Sequence, residues 1–412
     1  MAGPSTRDRR ARERRACGGR ARRARGDGIL GHRQSVVASY FLVFLGVGVS
    51  LPYLPLYLAH LGYPGWQIGL VVGLHPLLRW TSAIAWSWVA DRWGIRERLL
   101  VVLGLAGGAG YLLLPFVERF AAVALVLAAI GLLHGPLIPM LDATVLDNLR
   151  RLGGDYGRLR LWGSASFILG SAGSAPLVAA FSPRIVPLLL VLANLGLVLP
   201  LLGLPRTPVG SARFESPWRL LDRALVALLA TVFLVDVSGG AWTGFFALHT
   251  TALGLPASTP GVAWGLAALA EIAVFRWGAP VLARVSAARL LVWVTVFTSV
   301  RWALVAAAER EVAVVGLQLG HAITFSASHL AVQGLLAQLV PARSTTGGQA
   351  LYGLARFGVG AAVGLWLAGA VVDRIGTRAL FGVEAAIALA ALVPALVARR
   401  ALASALRRRP RP

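Results

Sequence analysis

Gly265-Leu-Ala-Ala-Leu-Ala-Glu271-Ile-Ala-Val-Phe275 sets one carboxylate in an otherwise apolar run. The next two apolar runs repeat the pattern, with Ser299-Val-Arg301-Trp302 and Leu319-Gly-His321-Ala322. Hydrocarbon offers no water to stabilise a charge, so ionisable groups placed this way are expected to face a partner or an aqueous cavity. The stretch from Glu271 to His321 therefore decides the reading of the rest, as helices that enclose and position a polar interior.

Apolar runs recur along almost all of the 412 residues, of which 57% are hydrophobic and only 14% charged. The mean hydropathy is +0.72. A helix needs about 20 apolar residues to cross a bilayer. The runs are blocks of Leu, Ala, Val and Gly rather than short alternating strands, which favours helices over an outer-membrane barrel. The expected fold class is an all-α membrane protein with twelve transmembrane helices in two pseudo-symmetric six-helix bundles. The segments fall near 36–60, 66–90, 99–117, 120–146, 160–181, 185–204, 224–249, 260–283, 290–308, 312–339, 348–371 and 379–398. The polar stretch 205–223 divides them six and six as a cytoplasmic linker between an N-terminal bundle, 36–204, and a C-terminal bundle, 224–398. Residues 1–35 form an Arg-rich tail expected to be disordered, and 399–412 a basic tail.

All forty basic residues are Arg. With the N-terminus inside, the inner loops and tails collect 31 of them, which supports an even span count, both termini cytoplasmic and residence in the cell membrane. The net charge of +23 sits mostly in the two tails, which lack aromatic interleaving. It reads as attraction to anionic membrane lipid, not nucleic-acid binding. A single cysteine, Cys17, excludes an intramolecular disulfide or a cysteine metal site. No phosphate-binding loop is present, so no nucleotide cofactor or motor is expected, and no nucleophile and base share a recognisable enzyme motif.

The halves match weakly. Gly69, Gly73 and Arg79 fall on Gly261, Gly265 and Glu271 at an offset of 192, and His134 and Asp142 fall on His321 and His329 at an offset of 187. Duplicated halves with polar residues at equivalent depth imply a carrier whose site lies at their interface.

Ser87-Trp-Val-Ala-Asp91-Arg92-Trp-Gly94-Ile-Arg96, after the second span, resembles the signature of the major facilitator superfamily, with Ser87 in place of the usual leading glycine and Glu97 interrupting the basic run. From about Ser39 to Ala398 the chain is similar to the branch holding phenylpropionate permease-like and lactose permease-like sugar/proton symporters. Tyr156-Gly-Arg-Leu-Arg160-Leu-Trp162-Gly163, Asp142, Glu271, Ser299-Val-Arg301 and Leu319-Gly-His321 carry the likeness. The resemblance implies a substrate-binding pair of Asp142 and Arg160, and a coupling group of Glu271, Arg301 and His321. It also implies an ion pair of Asp236 with Arg356, which lies one position from the family's basic partner. The family's proton-carrying carboxylate, three residues after the histidine, is Thr324 here, so the proton needs another carrier: His329, His321 or Glu271.

The side-chain chemistry fits these roles. Arg160 offers a planar fork for a carboxylate or two hydroxyls, with Asp142 as acceptor and Trp162 to stack on a ring. Glu271 is expected to bind substrate or proton, with a static pair to Arg79 or Arg301 as the alternative. Arg301 keeps its charge and is expected to approach an acid. His321 and His329 titrate near physiological pH, and eight residues apart they suit a metal poorly. Asp91 and Arg92 are expected to latch a cytoplasmic gate. The combined expectation is a monomeric secondary transporter that moves a small polar solute, an aromatic acid, sugar or nucleoside-like compound, with protons. The solute would bind between Asp142 and Arg160 of one half and Glu271 of the other while the bundles rock. An efflux antiporter of the same fold is the alternative.

Overall fold

The protein is described by a computed structural model covering residues 6–152, 155–206, 217–278, 280, 284–341 and 344–408. It is helical throughout, with no strand among the described residues. The first group of helices is α1 (Thr6–His60), α2 (Gly65–Trp93), α3 (Arg96–Phe116), α4 (Phe120–Leu149), α5 (Tyr156–Phe181) and α6 (Pro183–Leu202). The second is α7 (Arg223–Ala252), α8 (259–278), α9 (Ala287–Ala307), α10 (311–339), α11 (347–375) and α12 (377–402).

Among the described residues, nine helices are long and apolar enough to cross a membrane. That number joins α11 and α12 into Gly347–Leu402, although Gly376, at φ 75°, breaks the run in a conformation that only glycine adopts readily. It omits α8 and α10, in which Glu271 and Arg276, and Gln318, His321, His329 and Gln333, lower the mean hydropathy. Gly94 does similar work at the end of α2, capping it at φ 62° with its N–H on the Ala90 carbonyl.

Helix α1 is described from Thr6 and so runs through most of the Arg-rich stretch 1–35, in which Arg, a strong helix former, is the commonest residue. Residues 207–216, the centre of the expected linker, lie outside the described residues. The linker's end is anchored by Asp222, whose side chain accepts the Leu225 N–H at 2.8 Å and caps α7.

Three apolar cores show how the halves meet. One is shared: Tyr53, Tyr57 and Leu58 of α1 join Trp242, Phe245 and Phe246 of α7, Trp264 of α8, and Ala368 and Val372 of α11. A second, around Tyr40, Leu100, Leu141 and Leu197, belongs to the first half alone. The third, around Leu228, Leu291, Leu335 and Leu351, belongs to the second half alone. The molecule is therefore fused at the end that carries the 61–64 and 253–258 connections and parted into two cores at the other.

Glycines set the two seams between the halves. A Cβ on Gly69 would lie 2.4 Å from the Leu365 carbonyl of α11, and one on Gly261 would lie 2.3 Å from the Ser171 carbonyl of α5. Gly73 and Gly265 continue the same contacts, against Trp366 and Ala172. The glycines matched at an offset of 192 thus do equivalent work, α2 on α11 and α8 on α5, and let two backbones approach as small residues do in membranes. Gly69→Ala should destabilise the protein by about 1–3 kcal/mol through overpacking. Its melting temperature in detergent should fall, while Gly382→Ala, with nothing within 4 Å of the added Cβ, should melt as the wild type does.

Candidate functional site

Helix α8 reaches the polar interior at Glu271 and at once loosens into a π-helical turn, Val274–Gly278. Facing it, His321 of α10 sits between a 3-10 turn, Leu317–Gly320, and a π turn, Ala322–Ala327. Two further π turns, Ala241–Phe245 and Leu354–Gly360, carry Trp242 and Arg356. All four lie in the second half. Such turns are rare and concentrate at functional sites, because each shifts a helix face and frees backbone groups.

His321 Nε2 stands 3.0 Å from Glu271 Oε1, so the expected grouping of these two is formed. The tautomer that serves the carboxylate carries its proton on Nε2, and His321 Nδ1 is buried with no hydrogen-bond partner among the described residues. Aromatic rings enclose the pair. Phe325 stacks on His321 at 5.6 Å, Trp242 lies 5.6 Å from it, and Trp242 stacks on Trp264 at 4.4 Å.

Arg301, only 2% exposed, does not join an acid. Its Nε donates to the Leu317 carbonyl at 3.1 Å and Nη1 to Thr324 Oγ1 at 3.1 Å, while Nη2 donates to Gln318 Oε1. Its guanidinium also lies 4.3 Å over Trp302 and 5.3 Å from the Trp242 ring. Threonine in place of the family's carboxylate explains this: Arg301 meets a neutral acceptor and keeps its net charge, spread over hydrogen bonds and ring faces.

Arg356 and Asp236 meet at 3.4 Å. Arg356 Nη1 donates to the Tyr352 hydroxyl at 2.8 Å, and that hydroxyl lies 3.0 Å from His329 Nδ1. The polarity is consistent along the chain: guanidinium donates to the phenol oxygen, and the phenol O–H donates to the imidazole. His329 therefore belongs to the Asp236–Arg356 network. On the side of α8 it meets Phe275, whose ring lies 6.3 Å away, edge to face.

In the first half, Arg160 Nε lies 3.9 Å from Asp142 Oδ1 and its guanidinium 3.9 Å over Phe44. Tyr40 donates to Asp142 at 2.5 Å. The expected pair forms, but Tyr40 and Phe44 of α1, which sequence reasoning passed over as apolar-span residues, hold it. Trp162 is not brought to it; two positions on, it points about 200° away around α5 and is 51% exposed. Phe167, two turns or about 10 Å along α5 from Arg160, meets Trp264 of α8 at 6.2 Å and links the two half-sites. Arg79 makes no ion pair with Glu271. Its side chain has no hydrogen-bond or ion-pair partner among the described residues, although its charge interacts with those of Asp142 and Arg160.

At the parted end, Arg96 bridges Asp91 at 2.9 Å and Asp147 at 2.7 Å, tying α2, α3 and α4 together within one half. Arg92 is exposed. An apolar hollow of about 390 Å³ opens between α8, α9 and α10, beside Trp293 and Phe297, and contains none of these ionisable groups.

Paired helical halves fused at one end, with buried charged clusters facing each other across glycine seams, define a multi-pass membrane transporter of the major facilitator type. Residues 34–383 match the family model described as "MFS_1 like family", and the chain belongs to that family. It is 30% identical over 365 residues to the probable 3-phenylpropionic acid transporter of Escherichia coli (strain K12), covering 86% of this chain and 94% of that protein. It is 27% identical over 276 residues to the maltose permease of Geobacillus stearothermophilus, covering 65% and 69%. A crystal structure of the nucleoside transporter NupG shares the fold with a TM-score of 0.75 at 16% identity, covering 89% of this chain and 98% of that one. The relatives are membrane transporters, not enzymes.

Removing one member of the buried Asp236–Arg356 pair leaves an uncompensated charge at a cost of about 3–5 kcal/mol. Asp236→Asn and Arg356→Gln should each lower the melting temperature of the purified protein. The double variant should melt above the lower of the two singles, since it strands no charge.

Proposed function

We propose that the protein is a proton-coupled carrier of a small organic solute bearing a carboxylate and a ring, working by alternating access between two six-helix bundles with twelve spans in all. In this reading it acts as a monomer in the cell membrane with both termini cytoplasmic, and the conformation described is the inward-facing one.

The observation that carries the reading is Arg79. A guanidinium within a span is costly unless something neutralises it, and this one is partly buried with no hydrogen-bond or ion-pair partner for its side chain among the described residues. It occupies the position that matches Glu271 across the repeat, beside Asp142 and Arg160. A solute carboxylate would supply the missing charge. The ring of the solute would lie along Phe44, Phe167 and Trp264, the aromatic path between the half-sites. The likeness to a probable phenylpropionate transporter supports the same solute class. Protons would enter through Glu271 and His321, a pair whose charge state decides whether α8 and α10 attract each other. Asp236, Arg356 and His329 would relay that change into α7 and α11, and Asp91, with Arg92 exposed beside it, would work with Arg96 and Asp147 to stiffen the inner gate.

One observation favours a second reading. The apolar hollow between α8, α9 and α10 lies in the size range of small-molecule sites, which would suit export of hydrophobic compounds. Export would leave Asp142 and Arg160 dispensable and would show as resistance independent of uptake.

In vesicles holding the purified protein, an inward proton gradient should drive accumulation of labelled 3-phenylpropionate, and a protonophore should abolish it. Arg79→Gln and Asp142→Asn should each raise KM at least about tenfold, the loss of roughly 1.4 kcal/mol of binding. Glu271→Gln should abolish gradient-driven accumulation. Flux unaffected by collapsing the gradient would show a uniporter instead.

A further inference from the structure

We propose that Glu384 of α12 is a proton-binding carboxyl of the transport cycle, linked through the Ala241–Trp242 turn to the Glu271–His321 pair; this rests on the proton-coupled reading above. Glu384 is 2% exposed. Its Oε1 accepts the backbone N–H of Ala241, and Oε2 is buried with no hydrogen-bond partner among the described residues. No cation lies within ion-pair distance of it among the described residues.

The charged and titratable groups on the elements packed around it bond elsewhere, although His249 Nε2 is buried with no hydrogen-bond partner among the described residues. On α7, Asp236 pairs with Arg356 of α11, and His249 Nδ1 lies 3.0 Å from Thr377 Oγ1. On α9, Arg301 donates to Leu317, Gln318 and Thr324. On α11, Asp373 accepts the Gly65 N–H, and on α12 itself Arg378 pairs with Glu309. An anion at Glu384 would be compensated by one neutral N–H. A buried, unpaired carboxylate costs more than one such hydrogen bond returns. In this conformation the carboxyl therefore holds its proton, on the free Oε2.

The link to the site is Trp242. Ala241–Phe245 is the π turn of α7, and Glu384 holds its first N–H. Trp242 Nε1 is likewise buried with no hydrogen-bond partner among the described residues. One unused donor and one unused acceptor thus lie on residues joined by a single peptide step and a hydrogen bond. Proton loss from Oε2 leaves a carboxylate that this indole N–H can serve, provided the turn moves. Movement of Trp242 disturbs its stack on Trp264 and its contact with His321.

The test uses the full chain in vesicles. In an infrared pH titration, the wild type should show a protonated-carboxyl band that fades as pH rises; Glu384→Gln should remove it and Glu384→Asp should shift it. Under a proton gradient, with 3-phenylpropionate as the probe, Glu384→Gln should lose accumulation by about tenfold or more, within the usual range of coupling between two sites. Glu384→Asp should recover part of it and move the pH profile of uptake, which a purely structural role would not do. An unchanged carboxyl band in Glu384→Gln, or equal gradient response in wild type and variant, overturns Glu384 alone. A wild type indifferent to the gradient overturns the proton-coupled reading and this role with it.

Discussion

Charge in hydrocarbon costs several kcal/mol per group, and the interior of this transporter is arranged around meeting that cost in different ways. Glu271 and His321 meet each other. Arg356 meets Asp236 and spends its remaining donor capacity on Tyr352 and Ser328. Arg301 meets no acid and is held by a carbonyl, an amide, a hydroxyl and two indole faces. The first two arrangements depend on protonation or on a partner across helices, and so can change; the third is fixed in charge and geometry. In the proton-coupled reading proposed above, the fixed cation would define the field and the other pairs would respond to it.

The packing gives these groups a place to act. One apolar core joins the halves at one end, and separate cores serve each half at the other. The charged clusters lie where the shared core gives out. The glycine seams, α2 on α11 and α8 on α5, allow backbone contact without interlocking side chains. Such surfaces suit the rocking of rigid halves that alternating access requires. The four π turns fall on the helices that carry Trp242, Glu271, His321 and Arg356, so the second half is the one whose backbone departs from regular helix at the site.

Much of this was legible from residues. A lone acid in Ala-Leu-Ala-Glu-Ile-Ala-Val announces itself because a span has no other use for it, and the same logic found Arg301 and His321, whereas Asp236 came from the family resemblance. Glu384 satisfies that criterion equally, in Gly382-Val-Glu384-Ala-Ala. It was passed over because no repeat match or family residue pointed to it. Tyr40, Trp242, Tyr352 and Gln318 could not be singled out: aromatic and amide residues are ordinary in spans, and only their neighbours give them a role. His329 looked like a companion of His321 because they share α10, yet its hydrogen bond goes to Tyr352 of α11.

The sequence by itself determined that the chain is helical and membrane-embedded, that its halves repeat, and which side chains are too costly to be idle. Those properties follow from hydropathy, periodicity and the price of burying charge, all of which act locally. Tertiary structure alone decided the partners. Arg301 received neutral acceptors instead of Glu271, Trp162 was turned away from Arg160, and Arg96 took the bridging position beside Asp91. Which donor meets which acceptor depends on how helices distant in sequence are rotated and spaced against one another, and spacing along one chain does not encode that rotation.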